Sequence, residues 1–132
     1  MTLRVLAAAG VLISGLVHLK LWFDGFGGIP VIGPAFMLNA AAGVVLAALL
    51  VLWRHWAPPL LAVGFGASTL GAFIISATVG LFGVHEVWTG AAVLIAAASE
   101  VVAIVAGGLV LRSEHPWRSD GQQPEVRRAQ AR

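Results

Sequence analysis

Four stretches of this chain, roughly residues 2–22, 31–52, 59–82 and 87–111, are each long and apolar enough to cross a bilayer. A span needs about 20 mainly apolar residues to cover about 30 Å of hydrocarbon. No water is available there, so each span must satisfy its own backbone as a helix. None of the four carries the polar stripe of a helix in a water-soluble bundle. Only 11% of the residues are charged, and mean hydropathy is +0.92. A soluble domain of this size carries about twice that charged fraction. The reading is an all-α, transmembrane four-helix bundle occupying residues 1–112, a multi-pass protein of the cell membrane. A polar tail follows from residue 113 to 132, with two prolines and no apolar period, and is expected to be disordered.

Charge sets the expected orientation. Basic residues flanking spans favour the cytoplasmic side. Arg4 precedes the first span, Arg54 follows the second, and Arg112 with the tail arginines follows the fourth. All three positions fall on one side if both termini are cytoplasmic. Lys20, Asp24 and Glu86 then lie outside. The start of the chain also has the make-up of a signal peptide, with Arg4 before an apolar core and small residues at Ala9 and Ser14. The run continues through Leu19, Leu21 and Trp22, which favours a retained span. "DGFGGIPVIGP" reads as the first loop, Pro34 falls in the first turn of span two, and Pro58–Pro59 open span three. Trp22, Trp53, Trp56 and Trp88 stand at span ends, as an interfacial aromatic belt requires.

Several chemistries are excluded or unsupported. There is no cysteine, hence no disulfide, thiolate metal site or covalent haem attachment. The net charge of +2 is carried by a sparse tail, so no nucleic-acid partner is expected. "GFGG" follows a membrane helix rather than a strand and lacks the Walker lysine and hydroxyl, so it is no phosphate loop. No Ser–His–Asp order supports nucleophilic catalysis. Whether the protein is an enzyme stays open, with the balance toward a non-enzymatic role.

The polar residues inside the spans carry the functional argument. Glu100 lies about twelve residues below Trp88, roughly 18 Å deep at 1.5 Å per residue. A carboxylate there is costly and should face the bundle interior. Ala96, Ala103 and Gly107 share its stripe, as small residues do at close helix contacts. It reads either as a proton or cation site or as a helix–helix contact. Asn39, about 12 Å into span two, stands between Ala35 and Gly43 on its own stripe. Its amide can bridge Glu100 to another group or simply clasp two helices.

Ser14 and His18 are four apart on span one, and Thr78 and His85 are expected to share a face of span three. His18 and His85 at one level are weak candidates for a metal or haem site, or for a proton relay. Each also fits a plain interfacial anchor. Lys20 and Asp24 can pair across one helical turn, with Lys20 reaching for the headgroups. "VHLKLW" at 17–22 echoes "VHEVW" at 84–88, which raises a weak internal repeat of two helical hairpins.

The segment "HLKLWFDGFGGIPVIGPAFMLNAAAGVVLAALL" resembles a pattern of small four-span membrane proteins of actinobacteria. There a His and a Trp close span one, a Gly/Ile/Pro-rich loop follows, and an Asn enters span two. The resemblance covers roughly residues 14–50, with His18, Trp22, Pro30 and Asn39 matching the pattern. It implies a four-span fold and a membrane setting, and no reaction.

The expected function is an accessory subunit or a small oligomeric transporter. Glu100, Asn39, His18, Ser14, His85 and Thr78 would form its outward-opening polar cluster. Its partners would be the lipid bilayer and either further copies of itself or a larger membrane complex. The alternative is a redox protein holding haem or a metal between His18 and His85. A third reading, an enzyme acting on a lipid or quinone through Glu100, has no nucleophile and no second carboxylate at depth.

Overall fold

A computed structural model describes residues 1–114. Helix α1 spans Thr2–Phe23, a short 3-10 turn Phe26–Gly28, α2 Ile32–Leu52, α3 Ala57–Thr78 and α4 Ala91–Glu114. All four long helices are apolar and long enough to cross a membrane, and no strand occurs among the described residues. Helix α4 takes in Ser113 and Glu114, which the sequence assigned to the tail. The rest of the predicted tail, and its expected disorder, lies outside the described residues.

Helix α1 is the centre of the bundle. Its buried residues Arg4, Ala7, Ala8, Val11, Ser14, Gly15 and His18 recur every three or four positions, the period of one helix face. Apolar burial gives little drive to associate in a bilayer, so the helices hold by close packing of small residues and by hydrogen bonds. The contacts are correspondingly tight. A Cβ on Gly10 would lie 2.7 Å from the Ser99 carbonyl of α4, and one on Gly43 would lie 2.5 Å from the Val11 carbonyl of α1. Helix α3 in turn packs on α4, where Gly66 meets the Glu100 backbone. Across the bundle the order is α2, α1, α4, α3, and α2 and α3 barely meet. A cleft therefore runs between them.

Both ends of α3 depart from the expected span. It begins at Ala57, two residues early, because Pro58 and Pro59 fit its first turn, where their missing N–H groups are not needed. The His55 Nδ1 accepts the Ala57 N–H at 3.2 Å and caps that turn. It stops at Thr78, four residues early. Phe82 and Gly83, both at positive φ, form the corner of a tight turn closed by paired bonds between Leu81 and Val84 of 2.8 and 2.9 Å. A right-handed helix cannot pass through such residues. Helix α4 accordingly starts at Ala91 rather than 87.

Two expectations change as a result. Thr78 and His85 do not share a helix face, since the chain leaves the helix between them. "VHLKLW" ends α1 while "VHEVW" is irregular chain, so these segments are not structural equivalents.

Candidate functional site

The cleft between α2 and α3 widens, in the half of the bundle nearer His18, into a cavity of about 650 Å³. Its lining is mostly apolar. His18 of α1 and Glu100 of α4 border it, with Asn39 from α2 and Thr69 from α3 on opposite walls. Leu81, Val84, Glu86 and Thr89 of the α3–α4 connection contribute a further border. That segment is pinned by Ser76, whose hydroxyl donates to the Val84 carbonyl at 2.9 Å and accepts the Glu86 N–H at 3.3 Å. Judged by helix position, Glu100, Ala42 and Phe65 mark the deep end of the cavity.

The polar groups form two short chains. The Ser14 hydroxyl donates to Glu100 Oε1 at 3.1 Å, and Glu100 is only 2% exposed. The His18 Nδ1–H donates to the Ser14 carbonyl at 2.8 Å. A carbonyl can only accept, so this bond selects the Nδ1–H tautomer and leaves Nε2 as an acceptor. The His18 ring meets Phe36 edge-on at 4.9 Å, and Phe36 stacks on Phe26 at 5.3 Å.

In the second chain, Asn39 Nδ2 donates to Thr69 Oγ1 at 2.9 Å, and Thr69 donates to the Phe65 carbonyl at 2.8 Å. Asn39 therefore ties α2 to α3 across the cleft and does not bridge to Glu100. Its Oδ1 is buried with no hydrogen-bond partner among the described residues. Such an atom forgoes the bond it would make in water, a cost of about 1–3 kcal/mol.

No family model matches this chain, and no curated protein and no solved structure matches it either. The site must be read from its own geometry.

The six residues expected to cluster divide into two groups. Ser14, His18, Glu100 and Asn39 gather at or beside the cavity, whereas Thr78 and His85 stand apart. The Thr78 hydroxyl returns to the Ile74 carbonyl at 2.8 Å, the usual way for a helical threonine to satisfy itself. The exposed His85 ring lies against Gly80, within 2.5 Å of where a Cβ would sit, and does not line the cavity. His85 therefore does not border the cavity that His18 lines. Among the described residues no group of three or more His, Cys, Asp or Glu side chains converges as a metal centre would.

Sequence reasoning missed two participants. Thr69 is an ordinary threonine in an apolar helix until Asn39 is seen opposite it. Arg4, read only as a topological charge, is 1% exposed and binds the C-terminal ends of α2 and α4 and the α2–α3 connection. Its Nε reaches both Glu114 oxygens at 3.1 and 3.0 Å, and its Nη2 reaches Oε2 at 2.5 Å. Nη1 donates to the Leu50 and Trp53 carbonyls at 3.2 and 3.1 Å, and Nη2 to the His55 carbonyl at 2.8 Å. The signal was present: Arg4 stands on the same helical stripe as Val11, Ser14 and His18.

Proposed function

We propose that this protein is a non-enzymatic carrier or accessory subunit of the cell membrane that binds a small molecule in the α2–α3 cleft. The observation that carries the reading is a cavity of about 650 Å³, mostly apolar, with a few polar groups of α1, α2 and α4 on its wall. Ligand sites are of this kind: about 300–1,000 Å³, largely apolar, with a small number of placed polar atoms. With Arg4, Arg54 and Arg112 at the cytoplasmic side, the cavity lies toward the outer face. One protomer has too few spans to enclose an aqueous path, so transport would take an oligomer or a partner subunit. The alternative, a haem or metal held between His18 and His85, draws no support from a pair of which only His18 lines the cavity.

The absence of native cysteine makes a direct test simple. In membrane vesicles, Ala72→Cys on the cavity wall should react with N-ethylmaleimide, while Ala7→Cys, fully buried in the core, should not. An Ala72→Cys protein as inert as Ala7→Cys would remove the open cleft, and the reading with it.

A further inference from the structure

The charged side chains bordering the cavity are one-sided. Two of the four carboxylates among the described residues, Glu86 and Glu100, border it. All four Lys and Arg residues in that range, Arg4, Lys20, Arg54 and Arg112, lie outside its lining. At the depth of Glu100 the side-chain atoms left over are acceptors. They are Asn39 Oδ1, buried beside the cavity without a partner among the described residues, and His18 Nε2, fixed as an acceptor by the bond its other nitrogen makes. The free N–H groups of the first turn of α4, at Ala91, Ala92 and Val93, border only the outer end. Among the described residues the Glu100 side chain has a single donor, the neutral Ser14 hydroxyl. Four phenylalanines, Phe26, Phe36, Phe65 and Phe73, line the same space. Aromatic faces attract cations within about 6 Å of the ring centre.

Resting on the cleft as a ligand site, we propose that its occupant is a lipophilic organic ammonium ion. Its apolar body lies between α2 and α3 and its N–H groups point to Glu100 and Asn39. A lipid acyl chain would fill the apolar volume but would leave Asn39 Oδ1 unpaired and Glu100 without a cation. A neutral alcohol offers one donor and no charge. An organic anion finds free N–H groups only at the outer end, in the first turn of α4; at depth it meets the Glu100 carboxylate with no base to offset it. An ammonium ion alone supplies both the missing donors and the missing charge, in a setting where an isolated carboxylate is costly.

The test uses three probes with one ring system and different charge: anthracenylmethylammonium, anthracenemethanol and anthracenecarboxylate. The whole protein is titrated with each in phosphatidylcholine nanodiscs, with protein-free discs subtracted. The ammonium should bind saturably and about tenfold or more tighter than the alcohol, the gain expected of a charged hydrogen bond. The carboxylate should not bind saturably. Glu100→Gln, which keeps the shape and an acceptor for Ser14, should remove that preference, so that ammonium and alcohol bind within about threefold of each other. Phe36→Leu should weaken the ammonium severalfold while the protein stays folded by its melting profile.

Equal binding of ammonium and alcohol, or an ammonium preference that survives Glu100→Gln, would overturn the assignment. So would an absence of saturable ammonium binding. In each case the reactivity of Ala72→Cys says separately whether the cleft itself stands.

Discussion

At the Arg4 end of the bundle, a guanidinium with five N–H groups meets five acceptors: two carboxylate oxygens of Glu114 and the carbonyls of Leu50, Trp53 and His55. At the His18 end, on the same stripe of α1, Ser14 and His18 make one bond apiece, and acceptor atoms are left over beside a cavity. Both ends place polar side chains where an apolar one would be cheaper. The first uses all its capacity to join α1, α2, the α2–α3 connection and α4. The second does not use its capacity up. In a membrane helix, then, polarity alone does not separate a helix clasp from a site. The number of donors and acceptors left without a partner does.

The comparison breaks first at Arg4. Arg4→Met keeps the apolar stem, strands the Glu114 carboxylate and frees three carbonyls at helix ends. Arg4 is buried but the Glu114 side chain is 34% exposed, so solvent screens part of the lost pairing; with three carbonyls left unpaired the cost should be about 2 kcal/mol. Unfolding in mixed micelles should show a loss of that order. Arg4→Lys should recover only a minor part, because an ammonium cannot reproduce the planar fork. A loss below about 1 kcal/mol would make the Arg4 end no more structural than the other.

Comparable in size is the packing between α1 and α4. A Cβ on Gly10 would press on backbone atoms, the Ser99 carbonyl and the Ala103 nitrogen, at 2.7 and 2.8 Å. Backbone cannot rotate away, so Gly10→Ala should cost about 1–3 kcal/mol. Gly108, on the same α4, has open space within 4 Å of the point a methyl group would occupy. Gly108→Ala should be neutral or stabilising by up to about 1 kcal/mol through helix propensity. Thermal unfolding of the two proteins side by side checks the pair.

At the His18 end the effects on folding shrink. Ser14→Ala removes the one hydrogen bond that the Glu100 side chain accepts among the described residues, and interhelical bonds of this kind average about 0.6 kcal/mol in membranes. The expected loss of stability is therefore about 1 kcal/mol or less, below that of Arg4→Met. A larger loss would make Ser14 and Glu100 a clasp like Arg4, and the contrast between the ends would fall.

How much of this could be read from the sequence follows from the solvent. The four spans were legible because the bilayer demands long apolar helices and little else. Ser14 with His18, and Glu100 in its apolar run, were legible as costly exceptions at helical spacing. The order α2, α1, α4, α3 was not, since a leucine facing lipid and a leucine facing a helix look alike in sequence. Leu38, for instance, is 71% exposed and Leu50 fully buried, within one helix. Asn39 was legible as polar but not its partner, because Thr69 also satisfies itself on its own backbone. The end of α3 was missed because "VGLFG" is apolar enough to continue a span, while its backbone turns at Gly80, Phe82 and Gly83. That error alone placed His85 on a helix face.

The smallest effect sits on the surface and closes the comparison. Each end has an ion pair: Arg4 with Glu114, and Lys20 with Asp24 one turn further along α1. The first has one side chain wholly buried. In the second both side chains are exposed, at 66% and 47%. Solvent screens an exposed i,i+4 pair, so a double-mutant cycle through Lys20→Ala and Asp24→Ala should yield a coupling of about 0.3–0.5 kcal/mol. It should fade as ionic strength rises and the screening length drops toward about 3 Å at 1 M salt. The same cycle through Arg4→Ala and Glu114→Ala should give a larger coupling that salt weakens less, because one partner is shielded from solvent. Equal couplings with equal salt dependence would show that burial, rather than hydrogen-bond count, had been given too much weight at the Arg4 end.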